Sequence, residues 1–264
     1  MKASLAIEIL RQALQSPVQS WLAYSPQHVP LVVYDEDDFF FLNHPNPPTM
    51  RPDQLTAATA IDINGVLTAT IPATMAADEQ TLVPLAYHEC FHVYQGTAFH
   101  FTSDYHFFAV LAFYPELNPA YRALCAAETA ALTNRTLSFI EQATALAALT
   151  RQRHDILSQQ QGLLSFEKNL ERNEGVASFV EQKARKQLYN LSPDNSACRY
   201  GYARQYFVGA ALCWLLEGLH PADGWQESIQ NGKALSALLI ETTAFQTVDL
   251  AWLELARREQ EEWL

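Results

Sequence analysis

Apolar positions along the chain recur with two periods. Residues 31–34 (Leu-Val-Val-Tyr) and 39–42 (Phe-Phe-Phe-Leu) are β-branched and aromatic runs separated by the acidic turn Asp35-Glu36-Asp37-Asp38, which predicts two strands. The segment His44-Pro45-Asn46-Pro47-Pro48 has the composition of a loop. Beyond it Ile61 and Ile63 lead into Asn64-Gly65, and Leu67, Ala69 and Ile71 follow, the alternation of a hairpin around a tight turn. Pro72 has no N–H to donate to a ladder and predicts that the second hairpin strand lies at a sheet edge.

Elsewhere the period is helical. The first residues break their apolar run with Glu8 and Arg11 and read as an amphipathic helix ended by Pro17. A helix is expected over 81–96, with Thr81 as N-cap, Pro84 in the first turn, Asp78 and Glu79 complementing the positive helix start, and Gly96 near the end. Leu82, Val83, Leu85, Ala86, Val93 and Tyr94 give it apolar surface on more than one side, which suits a central helix. From residue 107 onward the pattern predicts helices at 107–113, 118–150, 152–189, 199–219, 225–244 with a break near Gly232, and 246–263. The fold class is therefore α+β: a small N-terminal mixed or antiparallel sheet with a central helix, followed by a mostly helical lobe. The expected division is 1–97 and 98–264, with no flexible linker between them, as one compact unit.

Composition narrows the partners. The chain has 264 residues, 49% of them hydrophobic, enough to bury a substantial core without disulfides. Its net charge of −12, with no cluster of Lys and Arg, argues against nucleic acid and anionic membrane as partners. No export signal is visible at the start, and the longest apolar stretch, Phe207 to Leu216, is short for a bilayer of ~30 Å. Cys90, Cys125, Cys198 and Cys213 show no CxxC spacing, so free thiols in a reducing cytoplasm are the expectation.

Chemistry enters at His88-Glu89-Cys90-Phe91-His92. On a helix, residues four apart point the same way, so the two imidazoles can share one tetrahedral Zn²⁺ while Glu89 stands beside it as a base. Cys90 points away from that face and is not expected to be a ligand. Gln95 and Ala98 stand where a metzincin would have Gly and His, which excludes that class. His100 and His106, in the stretch after the helix, are further candidates to approach the metal, though loop histidines are more often solvated.

A third ligand is needed. Downstream, Asn173-Glu174-Gly175-Val176-Ala177, taken with the HExxH pentad, resembles the gluzincin zinc metallopeptidases of the zincin superfamily, whose aminopeptidase branch carries an Asn-Glu-Gly-x-Ala run on its second zinc helix. The resemblance implies a zincin-like fold, one Zn²⁺ ion, Glu174 as third ligand and a peptide or small protein as substrate. In metallopeptidases an edge strand just before the zinc helix often binds an extended substrate by strand addition, which makes residues 66–73 the candidate, with an edge strand facing water as the alternative. Two departures leave the subfamily unassigned: the stretch from His92 to Glu174 is longer than usual, and Ser178 stands where some gluzincins place an Asp. From the residues themselves, Phe166, Leu170, Glu174, Ala177, Glu181, Ala184 and Leu188 follow a 3-4 spacing with two carboxylates on an apolar face. Glu128, another carboxylate in an apolar helix, is the alternative third ligand, and a salt bridge to Arg172 or Lys183 is the alternative role for Glu174. Gluzincins commonly aim a tyrosine at the developing oxyanion, which selects Tyr206, with Tyr202 as alternative; both also suit helix packing. Arg204 reads as a surface charge or a clamp for a substrate carboxylate.

The sequence thus predicts a zinc metallopeptidase with Glu89 as general base. A helical binding protein on a zincin scaffold, or a zinc hydrolase of a non-peptide amide or ester, are the other readings.

Overall fold

A computed structural model of the chain describes residues 1–100, 110, 112–192, 201–220, 224–244 and 251–262. In chain order its elements are α1 (Ala3–Ala13), β1 (Leu31–Tyr34), β2 (Phe39–Leu42), β3 (Thr59–Ile63), β4 (Val66–Pro72) and α2 (Glu79–Ala98). The helices α3 (Pro119–Thr133), α4 (Phe139–Ser158) and α5 (Leu163–Leu170) follow, then a π-helical turn (Glu171–Gly175) that runs into α6 (Val176–Tyr189). Last come α7 (Arg204–Leu219), α8 (Trp225–Gln230), α9 (Leu235–Thr242) and α10 (Ala251–Glu262). The protein is α+β, with a small four-stranded mixed sheet and a mostly helical remainder. Among the described residues no helix is long and apolar enough to cross a membrane. The chain divides into two units, Met1–Phe99 with Ala177–Pro193, and His100–Val176 with Asp194–Leu264. The segment Ala177–Pro193 thus groups with the N-terminal residues.

In the first unit the strand order is β2-β1-β4-β3, with β1 antiparallel to β2, β3 antiparallel to β4, and β1 parallel to β4. The acidic turn between β1 and β2 is closed by Asp35, whose Oδ1 accepts from the backbone N–H groups of Asp37 and Asp38. β4 is an inner strand, which corrects the expectation of an edge. Pro72 is tolerated because it is the last residue of β4, opposite Tyr34 at the end of β1, where a missing N–H interrupts no interior ladder. Residues 69 and 70 are paired on both sides and every other residue of β4 on one, so strand addition along 66–73 is also corrected; the sheet edges are β2 and β3.

α2 begins earlier than expected. Asp78 is the N-cap, accepting from the Thr81 N–H at 2.9 Å, while Thr81 Oγ1 accepts from the Asp78 N–H at 3.2 Å. Thr81 is the reciprocal member of this capping box, not the cap, and Pro84 falls in the second turn. Nor does Gly96 end the helix. It lies inside, and a Cβ there would come within 2.6 Å of Leu67 Cδ2, so its small size lets β4 approach. Leu82, Val83, Ala86, Tyr87, Cys90 and Phe91 are all fully buried, as a central helix requires. Phe91 is ringed edge-on by Trp21 and Tyr24, and Trp21 also meets Phe179 of α6.

In the second unit the helix expected over 118–150 is two helices. Asn134 Oδ1 accepts from the Thr136 N–H, and Ser138 and Glu141 form a capping box that restarts the chain as α4. Short polar side chains offer the backbone a bonding partner outside the helix, and the break sits where two of them fall close together. The helix expected over 152–189 is likewise interrupted, at Gly162 with φ of +84°, and from Leu163 it runs unbroken to Tyr189 with the π-turn inside. The expected break near Gly232 is present, between α8 and α9. Most of 107–113 and the starts of the expected helices at 199 and 246 lie outside the described residues.

Candidate metal centre

α2 presents His88 and His92 one turn apart, their ring centroids separated by 4.8 Å. His88 is 6% exposed and Glu89 5%. Cys90, between them in sequence, is fully buried, and burial first and the Glu89 charge second push its thiol well above the ordinary range. A thiol so unwilling to ionise is a poor metal ligand.

Each imidazole is held through Nδ1. His88 Nδ1 lies 3.1 Å from Glu181 Oε2, and His92 Nδ1 lies 2.8 Å from Gln95 Oε1. A carboxylate can only accept, and the amide oxygen likewise accepts, so both rings are set as donors at Nδ1. That tautomer puts the lone pair of each ring on Nε2, the form in which outer partners fix ligand histidines. The sequence pattern alone does not identify either partner. Glu181 was visible as the second carboxylate of the apolar stripe, and Gln95 sits one turn beyond His92, but their hydrogen bonds depend on side-chain direction.

Glu174 stands in the π-turn of the helical rod Leu163–Tyr189, whose α6 half carries Glu181. Glu174 and Glu181 stand on one continuous helical rod, about two turns apart. Ligand-capable atoms of His88, His92 and Glu174 all lie within 4.8 Å of one another. Bonds of about 2.1 Å in a tetrahedron put ligand atoms about 3.4 Å apart. Closing on one ion therefore takes side-chain shifts on the order of 1 Å. The residues fit the group: two neutral imidazoles and one carboxylate are the donor set of a catalytic zinc site with an open position.

The local backbone explains the rest of the Asn-Glu-Gly run. Asn173 Nδ2 donates to Glu174 Oε1 at 2.9 Å. A Cβ on Gly175 would fall 2.4 Å from Gly209 Cα, and one on Gly209 would fall 2.7 Å from the Glu171 carbonyl oxygen. Only glycine lets α7 and the π-turn touch backbone to backbone. π-turns inside helices recur at functional sites because the extra residue re-aims side chains. Arg172, proposed as an ion-pair partner for Glu174, donates to the His100 carbonyl oxygen at 2.7 Å, and the Lys183 ammonium lies over the Phe179 ring.

Glu128 has another occupation. Its carboxylate, fully buried, accepts from Arg153 Nε at 2.9 Å and Thr150 Oγ1 at 2.9 Å, and pairs with an Arg204 terminal nitrogen at 2.7 Å. Arg153 also pairs with Glu167, which accepts from Tyr114 and Tyr121. Two carboxylates against two guanidinium groups cancel within the core. Burial raises the Glu128 pKa, but Arg153 and Arg204 outweigh it and hold the carboxyl below its ordinary value. Glu128 is thus a structural anion, and Arg204, fully buried against it, is neither a surface charge nor a substrate clamp. Tyr206 lies in the first turn of α7 and Tyr202 in the turn before it, both about a third exposed. His106 lies outside the described residues, and His100 is exposed. Comparison of the chain with protein-family models, with curated proteins and with solved structures gives no match.

Proposed function

We propose that the chain is a zinc-dependent hydrolase of gluzincin type that cleaves a peptide-like amide bond. The observation that carries the reading is the approach of His88, His92 and Glu174 to within 4.8 Å, with both imidazoles held at Nδ1 by Glu181 and Gln95. A Zn²⁺ ion held by the three residues supplies Lewis-acid charge that acidifies a water and polarises a carbonyl oxygen. Glu89, next to His88 on α2, takes the proton of the attacking water and delivers it to the leaving nitrogen. Tyr206, or Tyr202 four residues before it, donates to the oxygen on which negative charge develops. The substrate is a peptide or small protein. Its setting is the cytoplasm, which accords with Cys90, Cys125 and Cys213 as free thiols.

The test is elemental analysis of protein purified without metal-affinity resin, followed by a mixed peptide library with and without chelator. One zinc per chain and chelator-sensitive cleavage are expected. Glu89→Gln should keep the zinc while activity falls by about 10²–10⁴. A metal-free chain, or a zinc-bound one that cleaves nothing, refutes the proposal and favours a binding protein. Zinc held as firmly by Glu174→Ala as by the parent refutes the third ligand.

A further inference from the structure

The second unit has a cavity of about 310 Å³ that the hydrolase reading leaves unused. It is lined by Ser165, Lys168, Asn169, Arg172, Lys233 and the first turn of α9. Of its eight lining residues three are cationic and none is acidic, in a chain with 17 Lys and Arg against 29 Asp and Glu. So acidic a chain would not gather cations around one hollow by composition alone.

The cations are placed by the fold. Lys168 and Arg172 are one helical turn apart and face the same way, with Asn169 beside them as an amide donor. Arg172 is 3% exposed, and its bond to the His100 carbonyl oxygen fixes the guanidinium. Lys233 comes from the turn before α9 and pairs with Glu241, an exposed carboxylate that a bound anion can replace. Ala234, the N-cap of α9, offers no side-chain acceptor, and Glu171 takes the Ser236 N–H at 2.9 Å from behind. Recognition in the cavity therefore falls to the three side-chain cations. Glu174 lies two residues beyond Arg172, on roughly the opposite side of the rod, so the cavity is separate from the metal ligands.

We propose that this cavity binds a small molecule through its phosphate group, the dianion seated among Lys168, Arg172 and Lys233. Phosphate brings a charge of about −2 and three acceptor oxygens, which match two ammonium groups and a guanidinium fork. The volume sits at the lower end of small-molecule pockets, room for the phosphate and a few attached atoms. The site does not depend on the zinc reading.

The experiment is calorimetric titration of the full chain with inorganic phosphate, ionic strength held constant with chloride. Saturable binding is expected, weakened at least tenfold in Lys168→Ala/Lys233→Ala and similarly in Asn169→Asp, which inserts a carboxylate without changing shape. Circular dichroism and thermal unfolding check the fold; should the double variant fail to fold, Asn169→Asp decides alone. Absence of saturation above the chloride control, or affinity unchanged in the folded variants, overturns the proposal. So does binding that survives both variants and disappears on chelation, which is phosphate on the metal.

Discussion

Glu181 offers the sharpest test of how the candidate site is built. Its Oε2 lies 3.1 Å from His88 Nδ1, and its side chain is 29% exposed. Removing the outer partner of a metal-ligating histidine costs about 10–100-fold in metal affinity, or about 1.4–2.7 kcal/mol. Partial exposure screens the charge, so Glu181→Gln, which keeps an acceptor oxygen and loses only the charge, belongs near the tenfold end. Glu181→Ala also frees the imidazole to rotate and to choose its tautomer, and belongs near 100-fold. The assay is zinc competition against a chromogenic chelator, with thermal unfolding of the metal-free proteins alongside. Without zinc, neither substitution should cost more than about 1 kcal/mol, because a contact to a partly exposed carboxylate adds little to stability. If Glu181→Ala binds zinc within twofold of the parent while His88→Ala loses it, Glu181 does not position His88.

Three further outcomes follow from the packing. Glu128→Ala leaves the Arg153 and Arg204 guanidinium groups buried without their shared carboxylate and should destabilise the chain by about 3–5 kcal/mol in denaturant unfolding; a loss below 1 kcal/mol would refute the charge balance assigned to the core. Gly175→Ala drives a Cβ into Gly209 Cα and should cost about 1–3 kcal/mol or more and loosen zinc retention, both measured on one preparation; an unchanged unfolding midpoint would contradict the backbone contact. His154 has its pKa lowered from 6.5 to about 3, chiefly by burial and then by Arg153 and Lys168. Its depressed value means that the unfolded chain takes up the proton first, so this stability is complete above the unfolded pKa and is lost as pH falls toward 3. The slope for one proton is about 1.4 kcal/mol per pH unit, and His154→Gln should remove it over that window. Parallel stability profiles of parent and variant would show that His154 is not buried neutral.

Some of this protein could be read directly from residue order. Strand and helix periods depend on neighbours two to four positions apart, so the two N-terminal strands, the hairpin around Asn64-Gly65, the central buried helix that carries His88 and His92 and the break at Gly232 were all legible. Local competition was harder to weigh. Asn134 and Ser138 divide a helix whose apolar stripe continues across them, and Asp78 outranks Thr81 as a cap because both ends of the capping box must close together. Long-range placement was not legible at all. Whether β4 is an edge depends on β1 arriving parallel beside it, and Pro72 is compatible with either place. Arg204 and Glu128 look like separate charges until Arg153 joins them in the core, and Glu181 is one more carboxylate until α6 brings it to His88. Residue order determined which side chains can do chemistry on each helix; only the tertiary structure decided which of them are neighbours, because hydrogen bonds and ion pairs between distant segments depend on packing that no local period encodes.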